Sequence, residues 1–192
     1  MKLSLITGMV LVIILSTACK ESKKEKPEEK EPYIPVADIL RSDINQIDSL
    51  VAGILKRTTI NDKTDSTFIT PQEFKKLAAN FLPPELEKDS FERSFTESSF
   101  IDETTELLTF QYLSTDSNST LRRVDILMPP STRMDKVNNI YLQKVFASGD
   151  TVFIHRLYWK PGNNFQIITE KSFAGHEPVV ERTKVIWDPS SY

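Results

Sequence analysis

Residues 151–173 read TVFIHRLYWKPGNNFQIITEKSF, and they contain two strand-like runs on either side of a turn. Aromatic and β-branched side chains dominate both runs, as is typical of β-strands. The separator, Pro161-Gly162-Asn163-Asn164, consists of residue types that favour turns. Because so short a connection joins strands that run in opposite directions, the stretch predicts an antiparallel hairpin.

Runs of the same kind lie on both sides of this hairpin, and short separators such as Ser148-Gly149-Asp150 again predict antiparallel neighbours. The predicted strands are residues 91–101, 107–114, 121–128, 137–147, 151–160, 165–173 and 179–187. The second half of the chain is therefore expected to form a curved antiparallel β-meander of about seven strands.

Two helices are predicted before the meander. Apolar side chains recur at helical spacing over residues 36–57 and again over residues 71–82. Thr70 and Glu73 have the spacing of an N-terminal capping box, and Pro71 suits the first helical position. Each helix has one apolar face that must be buried. The sequence thus predicts an α+β fold with two N-terminal helices packed on one face of the sheet.

Composition excludes several classes of function. The 192 residues include one cysteine, two histidines and five glycines, and the formal net charge is −3. A single cysteine rules out an intrachain disulfide and a CxxC metal or redox site. Neither GxGxxG nor GxxxxGK[ST] occurs, so these glycine-rich phosphate loops are absent from the sequence. The acidic balance argues against a nucleic-acid partner, which would require a basic excess.

The first residues have the features of a secretory signal peptide. Lys2 is followed by an apolar stretch from Leu5 to Leu15, which is shorter than a membrane-spanning helix. Leu15-Ser16-Thr17-Ala18-Cys19 resembles the lipobox of bacterial lipoproteins, in which a small residue precedes the modified cysteine. The resemblance implies that residues 1–18 are removed and that Cys19 becomes the lipid-attachment residue. Several acyl chains on this cysteine would form a stable membrane anchor.

A charged segment separates Cys19 from the predicted domain. Residues 20–32 contain five lysines, five glutamates and two prolines, so residues 19–32 are expected to be a lipidated, disordered tether. Residues 33–192 then form a single α+β domain with 18 basic and 22 acidic side chains. Lys20, rather than aspartate, follows the cysteine, and the lipoprotein resemblance therefore implies an outer-membrane location. Whether the domain faces the periplasm or the cell surface stays open.

A row of titratable residues is the first candidate site. If Lys160 pairs with Phe165 in the central hairpin, His155 lies opposite Glu170. If Phe173 pairs with Val179 in the next hairpin, Glu170 lies opposite Arg182. A carboxylate between a histidine and an arginine has the chemistry of an acid–base pair or of a site for an anionic ligand. The simpler interpretation is a solvent-exposed ladder of charges.

Tyr158 and Trp159 are the second candidate, as part of an aromatic binding surface. Adjacent residues of a strand point to opposite faces of the sheet, so at least one of these two rings is expected outside the core beneath the helices. Exposed aromatic side chains mark binding surfaces, here for an apolar or carbohydrate ligand. The alternative is that both rings only pack in the interior.

Residues 62–73 are the third candidate, because they resemble an EF-hand calcium loop in which Asp62 and Glu73 supply the charged ligands. Thr67 occupies the position where that loop requires a glycine, and the capping box already accounts for Glu73. We therefore predict no metal site, and weak calcium-dependent interaction stays as an alternative.

The sequence as a whole favours a non-catalytic binding or assembly module of the cell envelope, anchored to the outer membrane through Cys19. No serine, threonine or cysteine nucleophile is identifiable beside His155, and no cofactor is expected. The expected partners are the membrane, through the lipid, and an envelope protein or a small apolar or carbohydrate ligand, with no nucleic acid. An envelope hydrolase that uses His155 and Glu170 is the alternative.

Overall fold

The structure is a computed structural model, and it describes residues 34–49, 53–130 and 136–191. Three α-helices and nine β-strands form the regular elements of this part of the chain. The helices are α1 (Val36–Gln46), α2 (Pro71–Ala78) and α3 (Lys88–Ser94). The strands are β1 (Ile54–Ile60), β2 (Lys63–Ile69), β3 (Phe95–Asp102), β4 (Leu107–Ser114), β5 (Leu121–Met128), β6 (Asn139–Ser148), β7 (Thr151–Lys160), β8 (Asn164–Phe173) and β9 (Val179–Ile186).

The strands form one antiparallel sheet in the order β2-β1-β9-β8-β7-β6-β5-β4-β3. From β3 to β9 each strand pairs with the next one along the chain, which is a continuous meander. The β1–β2 hairpin extends this meander, because β1 pairs with β9. The α+β class with an antiparallel sheet is therefore confirmed, whereas the prediction of about seven strands was two too low.

The two additional strands replace part of the first predicted helix and the predicted loop after it. Helix α1 ends at Gln46 and is followed by a single 3-10 turn, so residues 54–57 are strand rather than helix. Asn61 and Asp62 connect β1 to β2 with φ angles of 47° and 63°, the backbone geometry of a tight two-residue hairpin turn. β1 pairs with both β2 and β9, and residues 54–57 therefore form a strand although their apolar side chains also fit helical spacing.

The first predicted strand of the meander also begins later than expected. Residues 91–94 belong to α3, and β3 starts at Phe95. Phe91 is a buried side chain of α3 whose ring stacks on Phe95 and lies 4.8 Å, centroid to centroid, from the ring of Tyr112. Phe91 is therefore a core residue of a helix. Its residue type alone does not distinguish this helix from a strand.

The two faces of the sheet differ in what packs on them. On the inner face, strand side chains such as Leu157, Trp159 and Phe165 form the hydrophobic core together with α1 and α2. The ring of Phe74 from α2 lies 5.3 Å from the ring of Phe165, centroid to centroid. The strand residues of this core occupy alternate positions along their strands, so their side chains all point to the inner face. The opposite face, which carries Tyr158, is called the outer face.

A buried carboxylate joins α1 to the central hairpin. Asp43 accepts a 2.7 Å hydrogen bond from the indole Nε1 of Trp159 and a 3.0 Å bond from the backbone N–H of Gly162. Burial raises the pKa of Asp43, and the hydrogen bonds from Gly162 and Trp159 oppose that rise. The carboxylate therefore holds the helix against the turn that precedes β8.

The described residues belong to one compact unit, Tyr33–Tyr192. The predicted signal peptide (residues 1–18) and the lipidated tether (residues 19–32) lie outside the described residues. None of the described helices combines the length and the apolar composition that crossing a membrane requires.

Candidate functional site

The register of the central hairpin separates two of the predicted site residues. Lys160 pairs with Asn164, one residue earlier than predicted, and His155 consequently lies opposite Thr169. Because side chains alternate along a strand, His155 is on the inner face and Glu170 is on the outer face. The prediction that His155 faces Glu170 is therefore wrong, and with it the geometry of the proposed acid–base pair.

Glu170 has a different partner from the predicted ones. Arg156 Nη1 donates a 2.9 Å hydrogen bond to Glu170 Oε2, and the two side chains form an ion pair on the outer face. Arg182 shares this face but pairs with Ile168 in the β8–β9 ladder, so its predicted position opposite Glu170 is also wrong. Val179 pairs with Lys171 rather than with Phe173, which shifts the β8–β9 register by two residues relative to the prediction.

His155 lies among inner-face side chains of neighbouring strands. It pairs with Lys144 of β6, and the ring of Phe146 approaches it edge-on at 5.0 Å between centroids. Its Nδ1 atom is buried and has no hydrogen-bond partner among the described residues. Burial lowers the pKa of His155, and the charges of Lys144 and Lys171 lower it further. The imidazole is thus held neutral near pH 7.

Residues 62–73 do not form the EF-hand-like loop that their sequence resembles, because they contain strand β2. Asp62 lies in the turn before β2 and Glu73 lies in α2 after it, so the seven extended residues of β2 keep them about 20 Å or more apart. Glu73 instead completes a capping box, in which Thr70 Oγ1 accepts a 3.2 Å hydrogen bond from the Glu73 N–H. The described residues include no group of three His, Cys, Asp or Glu side chains that could hold a metal ion.

Tyr158 and Trp159 lie on opposite faces, as strand alternation requires. Trp159 is fully buried on the inner face, where its ring stacks on Phe165 at 5.1 Å between centroids. Tyr158 is 43% exposed on the outer face. Of the two, Tyr158 is therefore the one that is accessible to a ligand.

Tyr158 lies in the first of two neighbouring rows of side chains that cross the outer face perpendicular to the strands. The ladder pairs place Arg57, Lys184, Gln166, Tyr158, Tyr141 and Asp125 in the first row. They place Arg182, Ile168, Arg156, Gln143 and Arg123 in the second row. We call these two rows the Tyr–Arg surface.

Aromatic and guanidinium groups contact one another at the centre of the Tyr–Arg surface. The rings of Tyr141 and Tyr158 are 5.0 Å apart between centroids, and the guanidinium carbon of Arg123 is 5.8 Å from the Tyr141 ring. Arg123 is on the outer face because it lies two residues from Asp125, and a β-bulge between Leu121 and Arg123 brings Leu121 to the inner face.

Hydrogen bonds fix the ends of these side chains. Asp125, which is buried, accepts bonds of 2.8 and 2.9 Å from Arg123 Nε. These bonds raise the pKa of the Arg123 guanidinium. Burial raises the pKa of the Tyr141 hydroxyl, and the neighbouring Tyr158 adds to the rise. The centre of the surface therefore presents the protonated phenol of Tyr141 and the charged guanidinium of Arg123 near pH 7.

The Tyr–Arg surface is cationic although the domain is acidic. It carries five cationic side chains and one carboxylate, and Glu170 reaches it from the adjoining outer-face position. Both carboxylates are engaged in ion pairs, with Arg123 and Arg156. Three further cations, Arg57, Arg182 and Lys184, have no ion pair within the part of the chain that the structure describes. We call these three the cationic trio.

This surface was not predicted as a whole, although its signal is present in the sequence. Arg123-x-Asp125, Arg156-x-Tyr158 and Arg182-x-Lys184 each place two polar or aromatic side chains on one face of a strand. The register between the strands decides whether these pairs lie side by side, and the residue types alone do not fix that register.

Comparison with known proteins leaves the function open. No model of a known protein family matches the chain. No curated protein matches it either. Neither comparison gives evidence of an enzymatic activity. The chemistry of the Tyr–Arg surface, with N–H and O–H donors and exposed ring faces, suits the binding of a ligand.

Proposed function

We propose that this protein is a lipid-anchored binding module of the outer membrane, and that the Tyr–Arg surface is its binding surface. The proposal combines the lipobox resemblance around Cys19 with the structure of the folded domain. The observation that carries it is the position of Tyr158, which is 43% exposed in the middle of an ordered set of aromatic and cationic side chains.

Residue composition supports a binding role for this face. Tyrosine and arginine are enriched in the energetically dominant parts of protein interfaces, because both combine a large contact area with directional hydrogen bonding. The tyrosine ring pair and the two ion pairs also hold these side chains in place before any ligand arrives. Less conformational entropy is then lost on binding, which favours affinity.

The alternative of a hydrolase has no support from the same geometry. His155 and Glu170 are on opposite faces of the sheet, and Glu170 is already paired with Arg156. The buried Nδ1 atom of His155 lies beside lysines and a phenylalanine ring rather than beside that carboxylate. We therefore retain the non-catalytic role as the proposal.

Site-specific photo-cross-linking in intact cells tests the proposed surface. A photoreactive phenylalanine analogue replaces Tyr158 in the full chain, and the same analogue replaces Lys76, an exposed residue of α2, as the matched control. We expect a light-dependent adduct of the envelope fraction at position 158 and none at position 76. Absence of an adduct at 158, or the same adducts at both positions, would contradict the proposal.

A further inference from the structure

The three positive charges of the cationic trio repel one another, and no carboxylate in the described part of the chain forms an ion pair with them. Arg57 and Lys184 are directly paired across β1 and β9, and Arg182 lies two residues from Lys184 on the same face. Like charges directly opposite each other in a sheet destabilise it. The two carboxylates at the Tyr–Arg surface, Asp125 and Glu170, are held by Arg123 and Arg156, so they do not neutralise the trio. An anionic group from outside the domain would neutralise these three charges.

Aromatic rings follow the cationic trio along the same cross-strand row. Lys184, Gln166 and Tyr158 are consecutive ladder partners, so Tyr158 lies two strand spacings, about 10 Å, from Lys184. Tyr141 is the next partner in the row. A ligand that crosses the strands here meets positive charge first and then an exposed ring face with a hydroxyl at its edge. Sugar rings stack on such ring faces through their C–H groups, while the hydroxyl and the amide of Gln166 bond to sugar hydroxyls.

On this basis we infer that the Tyr–Arg surface binds an acidic polysaccharide, with a carboxylate-bearing sugar at the cationic trio and the next sugars over Tyr158 and Tyr141. This inference rests on the proposed function and names its ligand class. The separation of charge and ring, about 10 Å, is about the length of one disaccharide, so a short stretch of polysaccharide reaches from the cationic trio to Tyr158.

Arg156 can bind the polysaccharide while it keeps its ion pair with Glu170. Only Nη1 of its guanidinium is engaged by Glu170, and a guanidinium has five N–H donors in a fixed plane. The remaining donors lie in the row beside Tyr158, where they can bind sugar hydroxyls or a second carboxylate. A nucleic acid fits less well, because residues 33–192 carry 18 basic and 22 acidic side chains and therefore lack the basic excess that such a partner requires.

Calorimetric titration of the full chain in a neutral detergent tests the inference. The probes are a hyaluronan hexasaccharide, in which acidic and neutral sugars alternate, the neutral chitohexaose, and a hexaglutamate peptide. We expect hyaluronan to bind, chitohexaose to bind at least about tenfold more weakly, and added salt to weaken hyaluronan binding. Arg182→Gln combined with Lys184→Gln should lower the hyaluronan affinity at least about tenfold. Lys76→Gln, an exposed cation of α2, should leave it unchanged.

Tyr158→Ala separates a glycan from any other anion. We expect this variant to lose hyaluronan affinity by at least about tenfold while its weak affinity for hexaglutamate is unchanged. Tighter binding of hexaglutamate than of hyaluronan would overturn the inference in favour of an acidic protein partner. Failure of hyaluronan to bind would also overturn it. The adducts at position 158 would then show whether the surface still binds something else, so the two proposals fail separately.

Discussion

The rings of Tyr141 and Tyr158 lie 5.0 Å apart, centroid to centroid, on neighbouring strands of the outer face. The ladder pairs these two residues directly, so the contact depends on the β6–β7 register and not on a flexible loop. Aromatic side chains held in this way have little freedom to lose on binding. The pair is therefore the rigid centre of the proposed binding surface.

Neighbouring aromatic residues of β7 should respond differently to truncation. We expect Trp159→Ala to lower the free energy of unfolding by about 3–5 kcal/mol, because it empties a fully buried site. Tyr158→Ala removes one partner of an exposed ring pair and should cost at most about 1.5 kcal/mol. Urea unfolding of both variants measures the difference, and equal losses would contradict the assignment of the two faces.

The buried carboxylate of Asp43 should make a large contribution to stability. Asp43→Ala leaves the indole N–H of Trp159 and the backbone N–H of Gly162 without their acceptor, at a cost of about 2–4 kcal/mol. Asp38→Ala is the matched control, because Asp38 forms only an exposed ion pair with Arg41, and it should cost less than about 1 kcal/mol. Urea unfolding compares them, and a similar loss in both would refute the role of Asp43.

Stability should depend on pH through His155. Its pKa in the folded protein is lower than the value of 6.5 expected for the unfolded chain, so the unfolded chain binds more protons as the pH falls below 6.5. The free energy of unfolding should therefore decrease between about pH 7 and pH 5. His155→Gln should flatten this decrease, whereas His176→Gln, at an exposed turn position, should retain it. An unchanged pH dependence in His155→Gln would show that the burial of the imidazole has no such effect.

Lipidation at Cys19 is a separate prediction from the lipobox resemblance. Cys19→Ser should abolish incorporation of a labelled fatty acid in growing cells and should leave the chain outside the outer-membrane fraction. Ser22→Ala, in the same charged segment, is the control and should be labelled like the parent chain. Full labelling of Cys19→Ser would contradict the anchor.

Much of the meander could be predicted because short turns and β-rich runs are local signals. β4, β5 and β7 have the boundaries that the residue pattern indicates. β1 was missed because Ile54 and Leu55 also fit a helical stripe, and β2 was missed because residues 62–73 resemble a loop. The strand character of β1 depends on pairing with β9, which is remote in sequence. The adjacent Asn61 and Asp62 were the local signal for that hairpin.

The candidate site was less accessible to sequence reasoning than the fold. A turn of three residues after Lys160, instead of four, moves every β8 side chain to the other face relative to β7. That single residue separates His155 from Glu170 and brings Glu170 to Arg156. The face of Tyr158 relative to Trp159 needs no register, since adjacent strand residues always alternate.

The most direct test of the central claim is side-chain NMR of the full chain in neutral detergent during titration with the hyaluronan hexasaccharide. β7 and β8 carry reporters on both faces, with Arg156, Tyr158 and Ile168 outside and Phe153, His155 and Ile167 inside. We predict that the guanidinium, ring and methyl signals of the outer three shift in a saturable way, while those of the inner three do not. Shifts confined to Phe153, His155 and Ile167 would contradict the account, and so would the absence of any shift.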